Sequence, residues 1–222
     1  MNKKLKKFLL SAHRDIYTKI FPDLVSELGK ELNDCKSVLD IGCGDDSPIK
    51  FFSRRFYSEG VDIFLPSINK SKKETIHNKY HKMNILAIDK KFKPNSFDCV
   101  LALDVIEHLD KKGGLKLIKK MERIAKNKSI IFTANGFLPQ GEYGGNKWQI
   151  HKSGWGVDEM RKFGYKVVGI NGIKSLRGEY ARIKFWPKYF WWIISDITQL
   201  FVRNSPEKAF QILCVKNLGG KK

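Results

Sequence analysis

The sequence has few of the features that mark proteins outside the cell. Its four cysteines, Cys35, Cys43, Cys99 and Cys214, form no CxxC pair and are scattered along predicted strands or their ends. We interpret them as reduced core thiols of a cytoplasmic protein, because disulfide frameworks belong to oxidising compartments. No internal repeat and no low-complexity linker is visible, so the 222 residues are expected to form one domain with extensions.

Long apolar runs are also missing. Near the N-terminus, the apolar stretch at residues 8–10 is far shorter than the roughly 7 to 15 residues at the core of a signal peptide. We therefore expect a basic helical extension over residues 1–35 that is retained. Near the other end, Asp196 interrupts an aromatic segment at residues 185–204, whose apolar run falls short of the ~20 residues that span a bilayer.

The aromatic segment at residues 185–204 leaves two interpretations open. Lys184, Lys188 and Arg203 flank its Trp and Phe residues, a composition typical of a helix that lies on an anionic membrane surface. A helix packed over the core or against a second copy of the chain would look the same. The first interpretation predicts a peripheral contact with the inner face of the membrane.

Acidic residues are scarce. The chain has 23 Asp and Glu against 42 Lys and Arg, which gives a formal charge of +19. This excess predicts attraction to nucleic acid, an acidic lipid surface or a charged substrate. An RNA-binding surface should interleave basic residues with exposed aromatic residues in one stripe, whereas here the lysines are spread over helices and termini. RNA is therefore the less favoured partner.

Strand patterns and helix patterns alternate along the chain. Strands are predicted at residues 37–41, 60–64, 97–103, 129–134, 165–170 and 209–217, and helices at residues 47–57, 67–79, 112–125 and 157–163. This alternation favours parallel strands joined by crossover helices. The prediction is an α/β domain over residues 36–222 with a doubly wound, mostly parallel sheet, in which residues 136–163 and 172–208 are insertions.

The stretch SVLDIGCGDDSPIKFF begins with the first predicted strand. Gly42 and Gly44 stand at the end of that strand, where a Cβ would obstruct either the turn or a ligand that approaches the backbone. Asp62, 20 residues after Gly42, ends the second predicted strand, where a carboxylate can accept hydrogen bonds from both hydroxyls of a ribose. Ser47 replaces the third glycine of a dinucleotide fingerprint and an acidic pair follows Gly44, so a cationic ligand is favoured over a diphosphate.

Three segments in this order resemble the class I S-adenosylmethionine-dependent methyltransferases: VLDIGCG, GVDIF and NSFDCVLALDVIEHL. The resemblance covers residues 36–135. It implies a Rossmann-like, seven-stranded sheet with an antiparallel last strand, and S-adenosylmethionine as the cofactor. The residues that would bind the cofactor are Asp40, Gly42 and Gly44 (methionine portion), Asp62 (ribose), Asn84 and Ile85 (adenine), and Leu103 (beside the sulfonium). Asn84 departs from the Asp that the family often has, and core packing is the alternative for Ile85 and Leu103.

The residues after the fourth strand predict the catalytic chemistry. Asp104, Glu107 and His108 share one face of a helical turn, and the intrinsic pKa of His108 favours it as a proton acceptor. His151, in the loop after the fifth strand, is the second catalytic candidate. Alternatively, Glu107 and His108 only fix the start of a helix and the neighbouring loop.

A sharper hypothesis is a metal site. Asp104, Glu107, His108 and His151 could together hold Mg²⁺ or Mn²⁺. This set resembles the ligands of the small-RNA 3′-terminal 2′-O-methyltransferases, although Asp104 replaces a Glu and the two residues before Trp155 depart from that family's pattern.

The leading expectation is a cytoplasmic methyltransferase that acts at oxygen or nitrogen of a small-molecule or lipid-linked acceptor, with the two insertions forming the lid and the acceptor pocket. The alternatives are a metal-dependent RNA 2′-O-methyltransferase and a cofactor-binding fold without catalysis.

Overall fold

The computed structural model describes residues 21–142 and 145–219. Residues 1–20 of the predicted basic extension lie outside this description. The strands are β1 (Ser37–Ile41), β2 (Tyr57–Asp62), β3 (Lys79–Lys82), β4 (Phe97–Leu103), β5 (Ala125–Ala134), β6 (Lys166–Ile173) and β7 (Ala209–Asn217). The helices are α1 (Leu24–Glu31), α2 (Leu65–Lys73), α3 (Lys111–Ile124), α4 (Val157–Lys162) and α5 (Lys188–Val202).

The seven strands form one sheet in the order β3-β2-β1-β4-β5-β7-β6. Strands β1 to β5 pair in parallel, and β7 runs antiparallel to both β5 and β6. The predicted fold class is therefore confirmed, including the antiparallel last strand. The strand order reverses between β1 and β4, and ligands of open parallel sheets bind at such a switch point, beyond the carboxyl ends of the strands.

Apolar side chains cover both faces of the sheet. Strands β1 and β4 are apolar over most of their length because helices and turns lie on each side of them. On one face, α3 contributes a stripe at helical spacing: Leu117, Ile118, Met121 and Ile124. On the other face, Leu28 of α1 and Leu32, just after this helix, belong to a buried apolar cluster that includes Val38 of β1 and Leu101 of β4. This part of the predicted N-terminal extension is therefore anchored to the sheet.

Two predicted helices are wrong in extent. The helix predicted at residues 47–57 is a single 3-10 turn, Pro48–Phe51, and β2 already begins at Tyr57. The helix predicted at residues 67–79 is α2, which ends at Lys73, and the chain then forms the unpredicted edge strand β3. Only His81 of that strand is buried, and its imidazole contacts the carboxylate of Glu59 on β2. A short edge strand with exposed lysines carries too little apolar pattern to be recognised from sequence.

Helix α5 packs against β6 through a polar contact. The amide of Gln199 donates to the Gly169 carbonyl oxygen at 2.9 Å and accepts from the Gly172 backbone N–H at 3.0 Å. Gly169 is needed there, because a Cβ would lie 2.1 Å from the Val202 carbonyl oxygen. The opposite face of α5 carries exposed aromatic side chains. Among the helices that the structure describes, none combines the length and apolarity needed to cross a membrane.

Candidate functional site

The turn after β1 is shaped by two glycines. Gly42 and Gly44 adopt left-handed backbone conformations, with φ of +68° and +56°. A Cβ on Gly42 would lie 2.6 Å from a methyl of Val105, whereas a Cβ on Gly44 would meet no protein atom closer than 4.0 Å. The Gly42 amide donates to the Val61 carbonyl oxygen at 2.8 Å, which ties the turn to β2. The space at Gly44 is therefore open for a ligand that approaches the backbone.

Asp62, at the end of β2, holds this turn from the side. One carboxylate oxygen accepts from the Gly44 amide at 2.9 Å, and the other accepts from the Phe64 amide at 2.8 Å. Burial raises the pKa of Asp62, although these backbone hydrogen bonds act in the opposite direction. Each oxygen keeps a further lone pair, so the carboxylate can still accept hydrogen bonds from a ligand.

A cavity opens in front of this turn, and we call it the glycine cavity. Five of the predicted cofactor residues line it: Gly42, Gly44, Asp62, Asn84 and Ile85. The carbonyl oxygen of the Asn84 side chain caps the next turn by accepting from the Leu86 amide at 2.9 Å. Residues that the sequence analysis did not identify also line the cavity, including Ser67, Val105 and Trp148.

Two predicted cofactor residues lie elsewhere. Asp40 is only 1% exposed, and its carboxylate accepts from the Ser47 hydroxyl at 2.6 Å and lies 2.9 Å from Nε2 of His77. It therefore supports the glycine turn from beneath. Leu103 packs against the core cluster on one face of the sheet. The next residue, Asp104, lines the glycine cavity instead, with a left-handed φ of +53°.

The acidic pair after Gly44 does not line the glycine cavity. Asp45 forms an ion pair with Lys70 at 2.8 Å, and Asp46 forms one with Lys50 at 2.5 Å. The lysines offset the charge of both carboxylates, so repulsion of a diphosphate is a weaker argument than the sequence suggested.

A second cavity lies beside the first, and we call it the histidine cavity. Its lining includes Glu107, His151 and Gln211, together with apolar residues of β5 and of the later loops. Three residues line both cavities: Asp104, His108 and Gln149. A ligand in one cavity would therefore meet a ligand in the other at these side chains.

The loop that carries His151 is clamped to the turn that carries His108. The backbone amides of Lys152 and Ser153 donate to the Glu107 carbonyl oxygen at 2.7 and 3.1 Å. The buried indole of Trp155 donates to the Ile106 carbonyl oxygen at 3.3 Å. As a result the two imidazole rings, predicted from distant parts of the sequence, have centroids 4.9 Å apart.

Three titratable side chains beside the two cavities have shifted pKa values. Asp104 is open to the cavities, yet desolvation by the surrounding protein raises its pKa to about 7; the amide of Gln211 donates to it at 2.9 Å. Burial and then the charge of Asp104 raise the pKa of Glu107, whose Oε2 has no hydrogen-bond partner among the described residues. Burial, followed by the nearby His151, lowers the pKa of His108 to about 4. At neutral pH, Asp104 is therefore a better match for proton transfer than His108.

The metal hypothesis is not supported. Among the described residues, no group of three or more His, Cys, Asp or Glu side chains is arranged to hold a metal ion. Nδ1 of His151 lies 2.7 Å from the Leu138 carbonyl oxygen and Asp104 accepts from Gln211 at 2.9 Å, and these contacts orient the two side chains. Asp104, Glu107, His108 and His151 share the histidine cavity but do not fit a metal site in this arrangement.

Gln211 was missed by the sequence analysis, although a signal was present. It is the only polar residue in the apolar run AFQILCV of β7, and a polar side chain in a buried strand calls for a partner. The amide of Gln211 donates to Asp104 at 2.9 Å and accepts from Asn171 at 2.6 Å. Trp148 and Gln149 carried no such signal, since they lie in a single 3-10 turn, Lys147–Gln149, outside the regular strands and helices.

Comparison with known proteins identifies the domain. Residues 39–133 match the family model of a methyltransferase domain. A protein of Methanocaldococcus jannaschii, described as uncharacterized, is 30% identical over 143 residues, which cover 63% of this chain. The chain spans 59% of the length of that relative.

Solved structures share the fold. The SAM dependent methyltransferase from Archaeoglobus fulgidus has a TM-score of 0.55 at 16% identity, with 92% of this chain and 99% of that chain covered. The methyltransferase domain of bacterial CtHen1-C has a TM-score of 0.56 at 17% identity, with 88% and 97% covered. Magnesium protoporphyrin IX methyltransferase from Synechocystis PCC 6803, with bound SAM, has a TM-score of 0.51 at 13% identity, with 98% and 85% covered. At these identities the likeness shows the fold alone.

A glycine turn at the switch point of a parallel sheet, facing an acidic residue at the end of the next strand, defines a nucleotide-binding α/β protein. The methyltransferase domain over residues 39–133 makes the class specific. Residues 39–133 therefore match the methyltransferase domain that the sequence motifs predicted, and the sheet shares its fold with a solved SAM dependent methyltransferase.

Proposed function

We propose that the protein binds S-adenosylmethionine in the glycine cavity and transfers its methyl group to an acceptor in the histidine cavity. The observation that carries this proposal is that the two cavities meet at Asp104, His108 and Gln149. A methyl transfer requires this arrangement, since the donor and the acceptor must be in van der Waals contact along the line of displacement.

The lining of the glycine cavity matches the successive parts of the cofactor. The open space at Gly44 accommodates the methionine portion against the backbone. The Asp62 carboxylate accepts hydrogen bonds from the ribose hydroxyls, and Asn84 with Ile85 borders the adenine. Because Asp104 lines the same cavity, a carboxylate stands near the region that the cationic sulfonium would occupy.

The methyl transfer requires the protein to align the donor with the acceptor and to accept one proton. The bond between sulfur and the methyl carbon breaks as a bond to an acceptor oxygen or nitrogen forms, and S-adenosylhomocysteine leaves. The acceptor, a hydroxyl or a neutral amine, also loses a proton, and Asp104 is the group that receives it, because desolvation raises its pKa to about 7. His108, whose pKa is lowered to about 4, and His151, whose pKa is lowered by burial, orient the acceptor through hydrogen bonds.

The acceptor we favour is a lipid-linked molecule. Ala181 lines the histidine cavity and also a cleft beside the aromatic end of α5, so the cavity and that surface adjoin. An acceptor group on a lipid could enter from this side while its chain stays with the aromatic residues. Under this proposal, the protein acts in the cytoplasm at the inner face of the membrane. A soluble small molecule is the alternative.

The hypothesis of an RNA 2′-O-methyltransferase depended on a metal site, and the described residues form no such site. The likeness to bacterial CtHen1-C is a likeness of fold and does not extend to the substrate. No described feature favours RNA over a lipid-linked acceptor.

Calorimetry with S-adenosylmethionine and S-adenosylhomocysteine tests the cofactor assignment. We expect binding by the parent chain and none by Gly44→Val, because the branched side chain would occupy the open space and strain a left-handed backbone. Gly141→Val is the matched control, since a Cβ there meets no atom within 4 Å and its φ is not left-handed. Binding of NAD without binding of S-adenosylmethionine would overturn the proposal.

A further inference from the structure

The outer face of α5 and the segment before it is unusually apolar for an exposed surface. Trp186, Tyr189 and Phe201 are 82%, 74% and 70% exposed. Further exposed apolar residues continue the surface along the helix: Phe190, Trp192, Ile193, Ile197 and Leu200. The inner face is already packed against β6, so this surface, which we call the aromatic face, is available for another contact.

A basic cleft lies at the N-terminal end of the aromatic face. Arg177, Arg182 and Lys188 line it together with Tyr189 and Trp192, and no carboxylate among the described residues belongs to its lining. The cleft therefore combines three cations with the amphipathic rings that favour a membrane interface.

The most buried of these cations is held in place by neutral groups. Arg177 donates from Nε to the Asn171 carbonyl oxygen at 2.9 Å and to the Ser195 hydroxyl at 3.1 Å, and from a terminal nitrogen to the Ala181 carbonyl oxygen at 2.9 Å. Burial lowers the pKa of Arg177, and Asp196 offsets only part of this effect. A rigid guanidinium held in this way is well suited to a phosphate group.

We propose that this basic cleft binds the phosphate headgroup of an anionic lipid while the aromatic face lies in the membrane interface. The part of the inference that concerns the acceptor rests on the proposed function. Ala181 borders both the cleft and the histidine cavity, so a headgroup bound in the cleft stands at the entrance to the acceptor site. The chain there is strained, since Tyr180 and Ala181 both have left-handed φ angles of +54° and +56°.

Charge argues against the other occupants of this surface. Two copies of a chain with a formal charge of +19 repel each other, and pairing through this cleft would bring its cations together. RNA would match the charge, but the aliphatic residues Ile193, Ile197 and Leu200 on the same face offer no partner to phosphates or bases. An anionic bilayer matches both parts of the surface.

Vesicle flotation tests the cleft. The probes are vesicles of phosphatidylcholine alone and of phosphatidylcholine with about one-fifth phosphatidic acid, compared at equal ionic strength. The cleft variant is Arg182→Gln/Lys188→Gln. The matched control is Lys73→Gln/Lys79→Gln, which removes the same charge at the opposite edge of the sheet, where both lysines are exposed.

We expect the cleft variant to bind phosphatidic acid vesicles about 20- to 30-fold more weakly than the parent, since one cation near an anionic surface contributes roughly fivefold. The control should lose about twofold or less, as expected for charges away from the contact. Phe190→Ala/Phe201→Ala should weaken binding to both kinds of vesicle, because the aromatic face contacts the bilayer in each case.

Equal losses in the cleft variant and the control would overturn the headgroup site, since the attraction would then come from net charge alone. Binding of inorganic phosphate by the parent chain without binding of phosphatidic acid vesicles would also overturn it, because the cleft would then hold a free anion rather than a headgroup. Concentration-dependent dimers that Phe201→Ala abolishes, without vesicle binding, would assign the aromatic face to a second copy. Affinity for S-adenosylhomocysteine, measured on the same variants, should not change, so a failed headgroup site and a failed cofactor site are distinguishable.

Discussion

Replacing Asp62 by alanine tests whether the glycine cavity binds a ribose through this carboxylate. The carboxylate already accepts from the Gly44 and Phe64 amides, and its remaining lone pairs are those available to the ribose hydroxyls. A hydrogen bond to a charged acceptor contributes about 1.5 to 3 kcal/mol, so losing the ribose contact should weaken cofactor binding roughly ten- to a hundredfold. Calorimetry with S-adenosylhomocysteine measures this change, and Asp46→Ala is the control because that side chain is 70% exposed and paired with Lys50.

A second ligand separates the two roles of Asp62. In the parent chain, the 2′-deoxy analogue of methylthioadenosine should bind more weakly than methylthioadenosine, because one hydroxyl no longer donates to the carboxylate. In Asp62→Ala this difference should disappear. If the parent and the variant discriminate equally between the two ligands, Asp62 acts only by holding the Gly44 turn, and the ribose assignment is wrong. Unchanged affinity for S-adenosylhomocysteine in a folded variant would refute both roles.

Two further predictions concern the junction and its support. If the Asp104 carboxylate accepts the proton, the rate of methyl transfer from a labelled cofactor to a lipid extract should increase about tenfold for each unit by which the pH is raised toward 7, and it should level off above pH 7. Asp104→Asn should remove this pH dependence along with most of the activity. A flat profile in the parent chain would exclude that role. Gly114→Ala should destabilise the protein by about 1 to 3 kcal/mol, because the new methyl would lie 2.2 Å from the buried Trp155 ring. A thermal melt measures this, with Gly141→Ala as the control that should leave the melting temperature unchanged.

The central strands were predictable because burial dominates their sequence. The ranges predicted for β1, β4 and β7 agree with the structure residue by residue, since each is an apolar run bounded by polar or small residues. The sheet edge was not predictable in this way. The first residues of β2 and all of β3 are rich in polar and charged side chains, and their strand conformation comes from pairing with neighbours rather than from local pattern.

The sequence likewise predicted some positions of the candidate site and not others. Gly42, Gly44 and Asp62 could be located from spacing, because parallel strands bring their carboxyl ends to one edge of the sheet. The assignments of Asp40 and Leu103 depended on which way a single side chain points. Asp40 points beneath the turn toward Ser47 and His77, and a left-handed residue after β4 brings Asp104 to the cavity in place of Leu103. Spacing along a strand does not resolve such a difference of one residue.

The two cavities draw on different parts of the chain. Most of the glycine cavity comes from the turns after β1, β2, β3 and β4, whereas the histidine cavity takes most of its lining from β5 and the residues that follow it. Two contacts connect the lining of one cavity to that of the other. The loop that carries His151 donates backbone hydrogen bonds to the Glu107 carbonyl oxygen, and the amide of Gln211 donates to Asp104. The residues that would read the acceptor are thus fixed by tertiary contacts to the turn that borders the cofactor. This explains why the motifs in the first half of the sequence identify the cofactor class, while the second half carries no motif for the acceptor.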